Sequence, residues 1–159
     1  MAIRELILLR HAHADDAEPD QDDIARVLSV RGDGEADAAG HWLRQHGAAP
    51  DRVLCSPAAR TRETCERVLS IVGYTDVRTD ARIYEATPGT LIRVLDEHRD
   101  AESVLLVGHN PGLESLAALL SEGASDSGRG MPPAATVWLD LVDGNLEPGS
   151  ARVRHFWWP

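Results

Sequence analysis

Three short apolar runs constrain this chain most. "IRELILL" (residues 3–9), "DRVLCS" (51–56) and "ESVLLVGHN" (102–110) are each too brief for a helix, and none shows the alternation of a half-exposed strand. Their side chains must be buried on both faces, which happens inside a mostly parallel sheet covered by helices on either side. The intervening segments have helical spacing. "GDGEADAAGHWLRQHG" (32–47) places Ala36, Ala39, Trp42 and Leu43 on one face and stops at Gly47. "PAARTRETCERVLSIVG" (57–73) reads as a helix opened by Ser56-Pro57 and closed by Gly73. "TPGTLIRVLDEH" (87–98) aligns Leu91, Val94 and Leu95, and "PGLESLAALLS" (111–121) starts on Pro111. "DVRTDARIY" (76–84) is expected to be extended, and "EGASDSGRGMPP" (122–133) to be a flexible surface loop. "ATVWLDLV" (135–142) and "ARVRHFWW" (151–158) are predicted as an antiparallel edge hairpin joined by the turn "DGN".

This alternation predicts right-handed βαβ units in a three-layer α/β/α sandwich. The chain has 159 residues, shows no internal repeat and has no linker long enough to separate two domains, so one domain over residues 1–159 is expected. The site of such a sheet lies beyond the carboxyl ends of its strands. Three ends carry chemistry: Arg10-His11, Ser56 to Arg60, and Gly108-His109-Asn110.

The net charge of −10 argues against a nucleic-acid partner or an anionic membrane surface, since both need a basic face. An anionic substrate would be held by a local positive cluster working against that field. All 16 basic residues are arginine. Without lysine there is no Walker A loop and no Schiff base. Cys55 and Cys65 are read as reduced thiols of a cytoplasmic protein, because the first apolar run is too short for a signal segment or a membrane span.

Other site chemistries have weaker anchors. Cys55 is followed by arginine after four or six intervening residues, never the five of a cysteine-phosphatase loop. No G-x-S-x-G elbow occurs. His11-x-His13-x-Asp15 looks like the opening of a metallo-β-lactamase-type signature, but Asp16 stands where that pattern has another histidine. A metallohydrolase using His11, His13 and Asp15 is therefore an alternative reading. It still needs a closed set of about three ligands.

"LLRHA", "SPAARTRET" and "LLVGHNPGL", in this order and each after an apolar strand, resemble the histidine phosphatase superfamily. Within it the short chain, the "RHAHA" opening and the "VGHNPGL" segment are most similar to phosphohistidine phosphatases of the SixA type, from Ile3 to about Leu120. The resemblance implies a phosphoglycerate mutase-like fold and a metal-independent phosphatase without a cofactor. It implies His11 as the nucleophile that becomes phosphorylated, Arg10 and Arg60 as phosphate-binding arginines, and His109 as the second histidine, donating to the phosphoryl group. That chemistry is physically coherent. A neutral imidazole attacks, and planar guanidinium forks match the oxygens over which charge spreads.

Arg62 should point roughly 200° away from Arg60 around the helix and pair with Glu63 or Glu66. Asn110 is expected to cap the helix that follows it. Glu85, in "RIYEATPGTL", is the candidate acid for an oxygen leaving group, or else a loop anchor or a gate against acidic ligands. His13 is a candidate for the phosphate rim, with a solvated role as its alternative. Trp157 and Trp158 are expected at the sheet edge. The acidic stretch Asp15 to Asp23 should disfavour highly anionic ligands. A phosphorylated substrate follows, including a phosphohistidine displayed on a protein. A non-catalytic phosphate-binding module is the remaining alternative.

Overall fold

The structure is a computed structural model, and it describes residues 2–126 and 130–159. The strands are β1 (Glu5–Arg10), β2 (Arg52–Cys55), β3 (Asp76–Thr79), β4 (Ser103–Gly108), β5 (Thr136–Leu141) and β6 (Ala151–Trp157). They form one sheet in the order β3-β2-β4-β1-β5-β6. The pairings β1–β4, β2–β4 and β2–β3 are parallel, whereas β1–β5 and β5–β6 are antiparallel. The hairpin therefore closes one edge, as its pattern predicts. Its connection is longer than the turn "DGN": residues 142–150 intervene, beginning with a 3-10 turn at Val142–Gly144.

Four helices cover the sheet: α1 (Val30–Gln45), α2 (Ala59–Val72), α3 (Pro88–Asp96) and α4 (Gly112–Glu122). Leu6, Leu8, Val104 and Leu106 pack with Leu91, Leu95, Leu113 and Leu116 of α3 and α4. Ile7, Leu9, Leu105 and Val107 pack with Ala36, Leu43, Val68 and Leu69 of α1 and α2. Consecutive strand residues thus feed opposite cores, which explains why these runs show no polar alternation. Each buried leucine stabilises the fold by roughly 1.5–3 kcal/mol.

Helix starts differ from the sequence reading for identifiable reasons. α1 begins at Val30 because Ser29 Oγ accepts the Gly32 N–H at 3.0 Å. Gly32 is required there: a Cβ would lie 1.9 Å from the His13 carbonyl oxygen. α2 begins two residues after Pro57, since the Ser56 hydroxyl that seemed to open it is turned toward the sheet ends. Trp157 stacks on Trp42, with ring centroids 5.3 Å apart, and Trp158 is exposed. Part of "EGASDSGRGMPP", residues 127–129, lies outside the described residues.

Candidate active site

The carboxyl ends of β1, β2 and β4 open into a cavity of about 610 Å³. Arg10, His11, Arg60, Glu85 and His109 all line it, so five of the residues singled out in the sequence meet there. Arg10 pairs in register with Gly108, placing His11 and His109 just past neighbouring strand ends. The His11 N–H donates to the Gly108 carbonyl at 3.1 Å. The Ala12 N–H donates to Thr64 Oγ1 at 3.0 Å, and that hydroxyl donates to the Arg60 carbonyl at 2.8 Å. The first turn of α2 is thus fastened to the loop after β1.

The His11 Nδ1–H donates to the Ala12 carbonyl at 2.7 Å, which fixes the tautomer and leaves Nε2 with its lone pair. Nε2 has no hydrogen-bond partner among the described residues. The His109 ring lies 5.3 Å from that of His11, centroid to centroid. His109 Nε2 meets Ser56 Oγ at 2.7 Å, and Ser56 Oγ accepts the Ala58 N–H at 3.2 Å. Arg60 Nη2–H donates to His109 Nδ1 at 3.4 Å. Ser56 Oγ keeps a second lone pair, and because Arg60 can only donate, its contact at His109 Nδ1 places the ring hydrogen on Nε2, which donates to Ser56 Oγ. Arg60 and the His109 ring thus meet on one side of the cavity beside His11, an arrangement that suits an oxyanion.

Burial drives the His11 pKa down to about 4 and, with the neighbouring His11 and Arg60, that of His109 down to about 3. Both rings are neutral at pH 7. The unfolded chain takes up these protons near pH 6.5, the folded chain only well below it. Between about pH 6.5 and 4 the unfolded state binds more protons, so stability falls as pH falls. Denaturant titrations at pH 7 and pH 4.5 should show a loss on the order of a few kcal/mol, and His109→Gln should flatten the difference. An unchanged midpoint would contradict the buried neutral rings.

The structure adds residues that local sequence signals did not reveal. Arg60 donates through Nη1 to the Asp23 carbonyl at 2.8 Å and through Nη2 to Asp23 Oδ2 at 3.0 Å. The Tyr84 hydroxyl donates to the same carboxylate, and Arg26 Nη1 donates to Asp23 Oδ1 at 3.0 Å. First the tyrosine bond and then the arginines hold the Asp23 carboxyl far below the usual carboxylate range, and Asp23 pushes the Tyr84 phenol up to about 12. Asp23 and Arg26 both line the cavity. They arrive on the loop between Ala14 and Leu28, which is closed by a backbone bridge between those two residues. Only this closure reveals them, because nothing in "PDQDDIAR" marks a site.

Several expectations are corrected. His13 does not line the cavity: its Nδ1–H donates to Ser29 Oγ at 2.7 Å and its N–H to Glu35 Oε1 at 2.8 Å. The His11/His13/Asp15 ligand set consequently has no geometry to support it, and no three His, Cys, Asp or Glu side chains cluster for a metal among the described residues. Arg62 is exposed and donates to the Pro57 carbonyl at 2.9 Å, not to Glu63 or Glu66. Those carboxylates accept instead from the Leu28 N–H and the Tyr74 hydroxyl. Asn110 is not the N-cap, a position that Pro111 takes. Its Oδ1 accepts the Glu114 N–H at 3.2 Å, and its Nδ2 donates to the Met131 carbonyl at 2.8 Å. Arg10 Nη1 donates to that same carbonyl at 2.9 Å, so segment 130–135 braces two site residues. Glu85 adopts φ 55°, and Gly112 lets α4 approach its loop, since a Cβ there would lie 2.4 Å from the Ala86 carbonyl.

A doubly covered α/β sheet with an arginine- and imidazole-lined pocket at its strand ends defines a protein that handles tetrahedral oxyanions. The chain belongs to the histidine phosphatase superfamily (branch 1), whose sequence profile matches residues 6–92. It is 31% identical to a phosphohistidine phosphatase SixA homolog of Haemophilus influenzae, over 72% of this chain and 76% of that protein. It is 36% identical to an uncharacterized protein of Mycobacterium tuberculosis, over 91% of this chain and 96% of that one. A solved structure assigned as a phosphohistidine phosphatase SixA from Agrobacterium tumefaciens superposes with a TM-score of 0.87 at 28% identity, covering all of both chains. The fold is phosphoglycerate mutase-like.

Proposed function

We propose that this chain hydrolyses phosphohistidine, or small phosphomonoesters, without a metal and through a covalent phosphohistidine on His11. The observation that carries the reading is the His11 ring, tied at Nδ1 to the Ala12 carbonyl with Nε2 left free beside His109 and Arg60. Nε2 attacks phosphorus in line, the bond to the leaving group breaks, and a water then cleaves the phosphorus–nitrogen bond to return the ring. Arg10, Arg60 and the His109 ring hold the equatorial oxygens. Arg10 Nε, buried without a partner among the described residues, leaves a further donor unspent. An imidazole leaving group protonated by solvent needs no enzymic acid, whereas an alkoxide would draw its proton from Glu85. Asp23 stays ionised and is unsuited to that task.

Ser56 acts here as a positioning residue for His109. Ser56→Ala should lower kcat/KM about tenfold or more and change the pH profile, while the thermal midpoint moves little. Loss of activity in proportion to loss of folded protein would refute that role.

A phosphohistidine-bearing protein, glycerate and sugar phosphates and p-nitrophenyl phosphate, each assayed with and without EDTA, test the function. Turnover unaffected by EDTA and highest on phosphohistidine is expected. Loss of turnover in EDTA would revive metal chemistry, and phosphate binding without any turnover would indicate a binding module. No helix is long and apolar enough to cross a membrane among the described residues, and the two free thiols fit a cytoplasmic setting.

A further inference from the structure

Behind the catalytic end, between α2 and the β2–β3 edge, lies a second cavity of about 740 Å³. Its lining includes both cysteines of the chain, together with Arg62, Leu69, Tyr74 and Val77. Cys55 ends β2, and Cys65 projects from the buried face of α2 directly over it. Both thiols are free and buried, and they share one cavity wall and one packed cluster. Neither takes part in the chemistry assigned to the first cavity.

The neighbours of this pair matter. Cys55 precedes Ser56, which holds His109, and Cys65 follows Thr64, which holds the Ala12 N–H. Cys55 Sγ donates to the Ser56 carbonyl at 3.3 Å, and Thr61 Oγ1 donates to the same oxygen at 3.0 Å. Arg60 lies on α2 between the two cysteines.

We propose that Cys55 and Cys65 form a peroxide-sensitive dithiol whose oxidation to a disulfide switches the phosphatase down. Contact with Cys55, whose own proton goes to the Ser56 carbonyl, lowers the pKa of Cys65, so Cys65 is the attacking sulfur and Cys55 the resolving one. The Cys65 thiolate attacks a peroxide oxygen, the O–O bond breaks, and a sulfenic acid and hydroxide form. The Cys55 thiol then attacks that sulfur and displaces water. In sum, two thiols and one hydrogen peroxide give one disulfide and two waters. A disulfide bond of about 2.05 Å draws the two sulfurs from van der Waals separation into covalent contact. It also removes the Cys55 S–H bond to Ser56. Both anchors of the site sit one residue from that movement, and misplacement on this scale costs catalysis heavily.

The activity part of this inference rests on the phosphatase reading, whereas the disulfide itself does not. The test treats the reduced protein with hydrogen peroxide and follows intact mass, peptide mapping and p-nitrophenyl phosphate turnover together. A loss of about 2 Da mapped to Cys55–Cys65, a fall in kcat/KM of about tenfold or more, and recovery with dithiothreitol are expected. Cys55→Ala and Cys65→Ala should stay active and resist peroxide; if either fails to fold, mapping of the wild-type protein still decides. Mass gains of sulfinic acid without a disulfide would overturn the dithiol, and a disulfide formed at full activity would overturn the switch. A reduced protein with no turnover at all would sink the phosphatase reading, leaving the mass readout to judge the dithiol.

Discussion

His11→Ala is expected to reduce kcat/KM by roughly 10⁴-fold or more and to abolish labelling of the protein by a radioactive phosphodonor. The size follows from the role. With the ring gone, no other side chain lining the cavity offers a neutral nitrogen with a free lone pair, because His109 is bonded at Nε2 to Ser56 and at Nδ1 to Arg60. The fold should survive, since the backbone bonds of residue 11 to Gly108 and Ala134 involve no side-chain atom. Residual labelling or turnover near the wild-type value would refute the nucleophile. His11→Asn, with a similar volume and no nucleophilic nitrogen, separates chemistry from packing: it should bind vanadate yet remain inactive.

Arg60→Ala has the next largest expected effect, a loss of about 10²- to 10³-fold in kcat/KM. Arg60 is the one cavity residue that joins α2, the Asp23 loop and His109, through Nη1 and Nη2. Lysine is a poor replacement because its single ammonium cannot present two directed N–H groups to one phosphoryl face, so Arg60→Lys should recover only part of the loss. Asp23 keeps its bonds to Arg26 and Tyr84 in either variant, and the loop should hold its place. Steady-state kinetics alongside thermal melting check this. A variant with wild-type kcat/KM would mean that Arg60 serves the loop and not the substrate.

Asp23 bears on selectivity as well. It sits among Arg10, Arg26 and Arg60 and neutralises part of their charge before any ligand arrives. On the proposed function, an incoming phosphate would share or replace that carboxylate at Arg60. The sequence reads the acidic stretch from Asp15 to Asp23 as disfavouring highly anionic ligands, or else as keeping the protein soluble. Within that stretch, Asp23 is the residue bonded to the Arg60 guanidinium.

The contrast between Arg60 and Arg62 shows how far local pattern reaches. Helical periodicity alone separates them, and the structure agrees: Arg60 is buried in the site and Arg62 exposed. The same periodicity misjudged the partner of Arg62, because a backbone carbonyl at Pro57 lay nearer than either carboxylate. Ser56 was legible as a helix opener but not as the partner of His109, because that partner comes from a strand 53 residues away in sequence. His13 followed local proximity to His11, and the tertiary structure bent it toward Ser29.

The doubly buried runs, the helical spacings between them and the polar residues at three strand ends dictated a layered α/β sandwich and brought Arg10, His11, Arg60 and His109 to one rim, because period and strand direction are local properties of the chain. Tautomers, the Asp23–Arg60–Tyr84 cluster, the bracing by Met131 and the facing thiols of Cys55 and Cys65 were settled only in three dimensions. Each depends on loop closure and helix packing between segments far apart in sequence, and no local pattern encodes which side chain is met across such a gap.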